Sequence, residues 1–195
     1  MKLLAFSDLH SNLKILEKLI KKIQKEQPDI ILCAGDLSSY GKELSLILKR
    51  LSRLKILTFI IHGNHESEEN LNQLCSDNII FLHKRTYTIK DYTFFGYGGG
   101  GFDPHDPKLE SLIPKVKKVA KQLIFLTHMP PYNTKLDYLP RYKKHAGSIS
   151  SLKFIKETKP ILVVAGHLHE NFNKQDKVGK TFIINPGPLG KIIEI

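Results

Sequence analysis

The chain has 195 residues, a formal net charge of +11 and a hydrophobic share of 41%. This length suits one domain with a full hydrophobic core, so we expect a single domain over residues 1–195. No apolar stretch approaches the roughly 18 residues of a membrane span, and no small-residue cleavage site follows the first apolar run. We therefore expect a cytoplasmic protein without a membrane partner, whose two cysteines are reduced.

The first part of the chain alternates apolar runs with amphipathic stretches. Strands are predicted over 2–7, 29–35 and 56–61, and helices over 11–26, 42–51 and 67–75. Ser11 is the expected N-cap of the first helix. The three strands are nearly continuous in apolar residues, which is typical of strands buried on both faces of a mostly parallel sheet.

The rest of the chain is richer in predicted strands. The strands are predicted over 79–83, 86–90, 92–97, 122–127, 161–165, 181–185 and 191–195, with Asp91 in a hairpin turn. Helices are predicted over 108–121 and 148–157, and a long polar loop over 129–147. Together the elements predict a layered α/β domain with a second sheet.

The positive charge has two interpretations. It is compatible with a nucleic-acid partner. However, five lysines form a stripe at helical spacing opposite apolar residues: Lys14, Lys18, Lys21, Lys22 and Lys25 opposite Leu16, Leu19, Ile20 and Ile23. A solvated helix face explains this stripe, so nucleic acid remains an alternative that we do not favour.

Polar side chains of a particular kind follow five of the predicted strands. They are aspartate, asparagine and histidine: Asp8, His10, Asp36, Asn64, His65, His128, His167 and His169. Because sites in open α/β sheets form at the carboxyl ends of strands, we expect these side chains to converge at one sheet margin. The set contains no thiolate, which favours manganese, iron, zinc, cobalt or nickel over a structural zinc site.

Seven of these residues are candidate ligands, too many for one ion: Asp8, His10, Asp36, Asn64, His128, His167 and His169. Two ions that share one carboxylate could be bound by this set of ligands. Such a pair, about 3.5–4 Å apart, lowers the pKa of a bridging water and stabilises an in-line displacement at phosphorus.

The blocks DxH, GD, GNH, H and GHxH occur in this order between residues 8 and 169. This series resembles the calcineurin-like metallophosphoesterase superfamily. The stretches THMPPYNTKLD, HAGS, GHLHE and NPGP are similar to its small single-domain phosphodiesterases. The resemblance implies a four-layer α/β/β/α sandwich of two mixed sheets flanked by helices, formed by one metallophosphoesterase domain.

The resemblance also implies residue roles and a reaction. The first metal ion would be held by Asp8, His10, Asp36 and His169, and the second by Asp36, Asn64, His128 and His167. Asp36 would bridge the two ions, Asn64 would also contact phosphate, and His65 would be the general acid. The expected activity is hydrolysis of small phosphodiesters, including cyclic nucleotides, by a metal-bridging hydroxide, with manganese as the favoured metal.

One departure from the superfamily sequence pattern narrows the range of expected substrates. Protein phosphatases continue GDxxDRG, whereas this chain reads Gly35-Asp36-Leu37-Ser38-Ser39-Tyr40-Gly41. This disfavours phosphoprotein substrates and leaves open which residue orients His65. Phosphomonoesterase activity, nuclease activity and a non-catalytic binding scaffold of the same fold remain alternatives.

Some nearby residues have two interpretations each. We expect His62 at a strand end, outside the ligand set but supporting it, and Glu66 either at a helix start or against a ligand. The four glycines at 98–101 lack the lysine of a P-loop and are expected to form a flexible turn beside the site.

The aromatic residues and the basic cluster in the loops are also ambiguous. Packing within the loops is favoured over base stacking for Phe102, Tyr132, Tyr138 and Tyr142. For the cluster Arg141, Lys143, Lys144 and His145, contact with a substrate phosphate is left open.

Overall fold

Two β-sheets form the framework of the chain, and a computed structural model describes residues 1–100 and 103–195 of it. The first sheet has five strands, in the order β13 (Lys191–Glu194), β1 (Lys2–Phe6), β2 (Ile30–Cys33), β3 (Leu57–Ile60) and β4 (Ile79–Phe81). Strands β1 to β4 are parallel, and β13 pairs antiparallel with β1. The carboxyl ends of the parallel strands therefore lie at one edge.

The second sheet is also mixed. Its six strands are, in order, β11 (Gln175–Val178), β12 (Thr181–Ile184), β10 (Leu162–Val164), β7 (Gln122–Thr127), β6 (Tyr92–Tyr97) and β5 (Thr86–Ile89). The four central strands are parallel, and the two edge strands pair antiparallel with their neighbours. A separate short hairpin joins β8 (Tyr138–Leu139) and β9 (Lys144–His145).

In the part of the chain that the structure describes, five helices cover the outer faces of the sheets. They are α1 (Leu13–Glu26), α2 (Leu44–Ser52), α3 (Glu68–Leu74), α4 (Pro107–Val119) and α5 (Ile149–Thr158). Buried residues of α1 to α3 pack against the first sheet, and those of α4 and α5 pack against the second. Within the described residues, no helix has the length and apolar character needed to cross a membrane.

The side chains of the buried strands point alternately to the two faces of the sheet and so form two apolar layers. In β1, Leu4 and Phe6 pack toward the helices, whereas Leu3 and Ala5 pack toward the second sheet. Successive side chains of a strand point to opposite faces, so an uninterrupted apolar run serves two apolar layers at once. The predicted four-layer α/β/β/α sandwich of two mixed sheets is confirmed.

The start of α1 differs from the prediction. Its N-cap is Asn12, whose side chain accepts a hydrogen bond from the backbone N–H of Ile15 at 3.1 Å. Ser11 instead has a left-handed backbone with φ of 59° and donates its hydroxyl to the carbonyl of Lys42. The expectation that Ser11 caps the helix was wrong because its hydroxyl is used to join two loops.

Short elements in two further parts of the chain went unpredicted. The polar stretch 129–147 contains β8, a single turn of 3-10 helix over Pro140–Tyr142, and β9. The edge strand β11 was missed because its sequence QDKV lacks a continuous apolar run and is only half-buried. Both omissions concern strands that bury little apolar surface.

Candidate metal centre

The candidate ligands lie where the carboxyl ends of the two sheets meet. Strands β1, β2 and β3 are neighbours in the first sheet, and β7 and β10 are neighbours in the second. Hydrogen bonds join the two edges: the N–H of His167 donates to the Asp8 carboxylate at 3.0 Å, and Nδ1 of His128 lies 2.7 Å from the carbonyl of Ala34. The candidates thus converge across two sheets and not along a single sheet margin.

The first group of donor atoms surrounds His10. Its Nε2 lies 3.0 Å from Nε2 of His169 and 3.6 Å from Oδ2 of Asp36. Nε2 of His169 lies 3.7 Å from Oδ1 of Asp8. Ligand atoms bound at about 2.1 Å to one ion lie roughly 3 Å apart when they are at right angles, so these separations fit a shared cation.

The second group surrounds the side-chain oxygen of Asn64. This oxygen lies 3.1 Å from Nε2 of His128 and 2.9 Å from Nδ1 of His167. Nε2 of His128 is also 3.4 Å from Oδ2 of Asp36. The same carboxylate oxygen of Asp36 therefore faces both groups, and the structure brings all seven candidate ligands together.

Asp36 is an ionised carboxylate in a buried position. Burial by itself raises the pKa of Asp36, but His128, the N–H of His65 and His10 outweigh this and hold the pKa at about 2. His128 is fully buried, which lowers its pKa, yet the Asp36 carboxylate raises that pKa above the usual value. The negative charge of Asp36 therefore lies at the centre of the site, where a bound cation would take the place of the proton that His128 shares with this carboxylate.

His128 is oriented by its other ring nitrogen. Nδ1 lies 2.7 Å from the carbonyl of Ala34 and donates to it, because a carbonyl can only accept. This fixes the tautomer that leaves the Nε2 lone pair facing Asp36 and Asn64. A neutral His128 is thus pre-formed as a ligand.

The pKa values of the remaining imidazoles are shifted in different directions. Burial lowers the pKa of His167 to about 4 and lowers that of His10 as well, so both are neutral at pH 7. The neighbouring Asp8 carboxylate raises the pKa of His169. Only the neutral form of an imidazole binds metal, and hence His10 and His167 are ready to do so at neutral pH.

Four of the candidate ligands have a strained backbone conformation. Asp8, His10, Asp36 and His167 have φ angles of 56°, 46°, 53° and 70°, in the left-handed region that residues with a Cβ rarely adopt. Such residues cost on the order of 1–3 kcal/mol each, and they cluster at functional sites. Each residue follows a strand end, so the turn back from the sheet aims its side chain across the edge.

Two glycines allow the loops to approach closely. A Cβ on Gly63 would lie 1.9 Å from Oδ1 of Asp36, and a Cβ on Gly166 would lie 2.6 Å from Oδ2 of Asp8. The glycines of the GNH and GHxH blocks are therefore required by contact with the carboxylates of other blocks. This explains why glycine precedes the ligand in each block.

His65 lies at the mouth of the site. Its backbone N–H donates to Oδ1 of Asp36 at 3.0 Å, and its Nε2 lies 4.0 Å from Oδ2 of the same carboxylate. The ring packs edge-on against His10, with centroids 4.7 Å apart, and against Tyr40 at 4.3 Å. Among the described residues Nδ1 has no hydrogen-bond partner, so packing against Tyr40 and His10 orients the ring.

Glu66 has a role that the sequence analysis did not identify. Its buried carboxylate accepts hydrogen bonds from the backbone N–H groups of Asp36, Ser38 and Gly63 and from the hydroxyl of Ser38, at 2.7–3.1 Å. Glu66 does not start the next helix, because α3 begins at Glu68 with Ser67 as its cap, and its carboxylate instead contacts the backbone of the candidate ligand Asp36. Glu66 holds the GD and GNH loops together.

His62 lies outside the candidate ligand groups, as expected, and belongs to a second cluster with His83 and Glu68. The ring centroids of the two histidines are 4.5 Å apart. Nδ1 of His83 accepts the N–H of Gly98 at 2.7 Å, so the proton of the neutral ring is on Nε2, which lies 3.4 Å from Glu68. A protonated nitrogen cannot bind a metal, and we assign this cluster a structural role.

The glycine run lies beside His62. The N–H of Gly99 donates to the carbonyl of His62 at 2.8 Å, which places this turn near the site. Gly101, expected in a turn, and Phe102, for which packing within the loops is favoured over base stacking, lie outside the described residues. The lysine stripe of α1 is mostly exposed, in agreement with a solvated helix face.

A family model and a relative of known sequence each match most of the chain. The family model described as calcineurin-like phosphoesterase matches residues 1–171. A relative, Uncharacterized protein MJ1162 of Methanocaldococcus jannaschii, is 27% identical over 200 residues, which cover 96% of this chain and 88% of the relative.

Solved structures show the same fold. The protein TT1561 of Thermus thermophilus is 21% identical, with a TM-score of 0.72 over 96% of this chain and 89% of its own. A structure described as a novel archaeal phosphodiesterase is 18% identical, with a TM-score of 0.52 over 96% of this chain and 84% of its own.

Proposed function

The chain belongs to the calcineurin-like phosphoesterase family, and from this premise we propose that it is a dimetal-dependent phosphodiesterase acting on small diesters. The observation that carries the proposal is the position of Asp36, whose Oδ2 faces His10 at 3.6 Å and His128 at 3.4 Å. One carboxylate oxygen between two groups of nitrogen and oxygen donors is suited to bridging two cations.

The donor set fits the implied ions. We assign Asp8, His10 and His169 to the first ion and Asn64, His128 and His167 to the second, with Asp36 shared. Imidazole, carboxylate and amide ligands without thiolate favour manganese, with iron, zinc, nickel and cobalt as alternatives. When bound, two such ions supply Lewis-acid activation of water and neutralise charge on the phosphoryl oxygens.

His65 is assigned as the general acid. Its Nε2 is the ring nitrogen 4.0 Å from the Asp36 carboxylate, and its side chain is partly exposed at the mouth of the site. A proton held on Nε2 would pass to the departing ester oxygen, which contributes typically 10²–10⁴ in rate. Because Asn64 turns its oxygen toward His128 and His167, its amide N–H₂ remains to donate to a phosphoryl oxygen.

Two features favour small diesters. Ser39, Tyr40 and Gly41 stand where protein phosphatases carry the DRG sequence, so the arginine of those enzymes is missing. The archaeal structure of similar fold is described as a phosphodiesterase, which supports the same reaction class. The complete set of seven donors disfavours a non-catalytic scaffold.

The first experiment combines metal analysis with a chromogenic diester. Protein stripped of metal is reloaded with Mn²⁺, its metal content is measured, and hydrolysis of bis(p-nitrophenyl) phosphate is followed with and without the ion. We expect two ions per chain and activity that depends on them. Asp36→Asn should lose both ions together, whereas Asp77→Asn, which removes an exposed carboxylate from a turn, should keep them.

The same preparation distinguishes the alternatives. A preference for p-nitrophenyl phosphate over the diester would establish a phosphomonoesterase. No turnover of either ester by protein holding two ions would establish a binding scaffold. Salt-sensitive binding of single- or double-stranded DNA, followed by cleavage, would establish a nuclease.

A further inference from the structure

A cavity of about 480 Å³ opens directly beside the candidate metal centre. One side is formed by His167, a candidate ligand, and by Leu168. Residues of the segment 139–149, which carries β9, also line the cavity. Pockets that hold small ligands have volumes of about 300–1,000 Å³, so this cavity can take a substituent of a substrate whose phosphorus lies at the metals.

The lining of the cavity is mainly apolar and aromatic. Met129, Leu168 and the rings of Tyr132 and Tyr142 contribute to it. Tyr132 is 37% exposed and Tyr142 60% exposed, although both are large aromatic side chains. Exposed tyrosines around a concave surface provide flat, rigid contact area for a planar group.

One polar side chain of the lining is held in a fixed orientation. Nδ1 of His145 donates to the Asp137 carboxylate at 2.7 Å, and the ring packs against those of Tyr132 and Tyr138, with centroids 5.7 Å and 5.2 Å away. Asp137 is fully buried. Because Nδ1 is engaged, Nε2 is the nitrogen of His145 left for a ligand.

Asp137 is itself held by the surrounding backbone. Its carboxylate accepts the N–H groups of Asn133 at 3.0 Å, Thr134 at 2.7 Å and Gly147 at 3.0 Å. These bonds stabilise a buried negative charge whose only side-chain nitrogen partner in the described chain is His145. A buried carboxylate that orients one partly exposed imidazole is typical of a histidine with a positioned function.

We propose that this cavity binds one ester substituent of the phosphodiester, a planar heteroaromatic group such as a nucleobase, and that Nε2 of His145 forms its hydrogen bond. The inference rests on the proposed function, because the phosphorus must lie at the metal centre for the substituent to reach the cavity. Lys144 also lines the cavity, with its Nζ 5.8 Å from the centroid of the Tyr142 ring. It adds positive charge that suits an electron-rich base.

The test compares two diesters with the same leaving group. Thymidine p-nitrophenyl phosphate carries a nucleobase, and methyl p-nitrophenyl phosphate does not. Since both release p-nitrophenolate, the ratio of their kcat/KM values isolates recognition of the second substituent. We expect wild-type protein to prefer the thymidine ester by tenfold or more.

Variants separate the hydrogen bond from the stacking surface. His145→Asn keeps a donor for Asp137 but removes Nε2, and should reduce the preference up to about tenfold, as expected for one hydrogen bond. Tyr142→Ala should reduce it also, and Tyr142→Phe should retain it. Tyr87→Ala, an exposed tyrosine on β5 outside the cavity lining, is the control whose preference should equal that of wild type.

Several outcomes would overturn the inference. They are equal kcat/KM values for the two esters in wild-type protein, or a His145→Asn variant that loses activity on both esters in the same proportion. If neither ester is hydrolysed, the proposed function is wrong. Calorimetric binding of the thymidine ester to metal-loaded protein then tests whether the cavity binds the nucleobase. Binding that is weaker in His145→Asn would support the cavity, and no binding, or equal binding, would contradict it.

Discussion

Replacing Glu66 by glutamine should weaken both the fold and the metal centre. The change keeps the size of the side chain but exchanges one carboxylate oxygen for an N–H₂ group. The least costly orientation keeps the oxygen toward the N–H groups of Asp36 and Gly63, which lie 3.1 Å from Oε2. The new N–H₂ then faces the N–H of Ser38, which is left without an acceptor.

The magnitude follows from these contacts. One hydrogen bond to a charged group, worth about 1.5–3 kcal/mol, is lost, and two others become weaker neutral bonds. The Ser38 hydroxyl, which donates to the same oxygen at 2.8 Å, can turn to accept the new N–H₂. Burial raises the pKa of Glu66, so removing its charge returns part of this loss. We expect the free energy of unfolding to fall by about 2–4 kcal/mol, and Mn²⁺ affinity to fall about 10–100-fold because the Asp36 loop shifts.

The assay uses urea unfolding of metal-free protein and calorimetric titration with Mn²⁺. Glu69→Gln is the matched control, since Glu69 is exposed in the first turn of α3 and should cost less than about 1 kcal/mol. If Glu66→Gln behaves like this control in both measurements, the role assigned to the buried carboxylate is wrong.

Three further predictions concern the proton donor, a glycine and a buried histidine. His65→Ala should retain two ions by elemental analysis but lose about 10²–10⁴ in kcat on alkyl diesters, with a smaller loss on p-nitrophenyl esters; equal losses would contradict the acid role. Gly63→Ala should abolish metal binding, because the new Cβ would lie 1.9 Å from Oδ1 of Asp36; calorimetric binding of Mn²⁺ at wild-type affinity would refute this. Burial, with His62 nearby, lowers the pKa of His83 to about 4, below its usual value of about 6.5. The stability that neutral His83 contributes is thus complete above pH 6.5 and is lost as the pH falls toward 4, by up to about 3 kcal/mol. In metal-free protein, the free energy of unfolding of His83→Asn should therefore decline less steeply over that pH range than that of wild type. Parallel curves for the two proteins would contradict the pKa shift.

Elements that bury apolar surface were predictable from the sequence. Strands β1 to β3 and β7 are short apolar runs, and the helices repeat apolar residues at helical spacing. Elements defined by local hydrogen bonds were not predictable in the same way. The hairpin of β8 and β9 forms around the buried Asp137, and no periodic pattern in the sequence signals it.

In the candidate site, too, some features were predictable from the sequence and others were not. Its ligand types could be read from the sequence because each follows an apolar strand, but the division of these strands between two sheets could not. The roles of Glu66 and His145 depend on contacts between loops distant in sequence, such as Glu66 with Ser38. The blocks GNHE and HAGS contain these residues, so the signal was present, but only the fold shows what each side chain contacts.

The central claim is that the Asp36 carboxylate is shared by two cations. Anomalous difference density from crystals soaked in Mn²⁺ tests it most directly, because it locates each ion independently of activity. We predict two peaks about 3.5–4 Å apart, one among Asp8, His10 and His169 and the other among Asn64, His128 and His167, with Asp36 between them. A single peak, or two peaks of which only one contacts Asp36, would contradict the account.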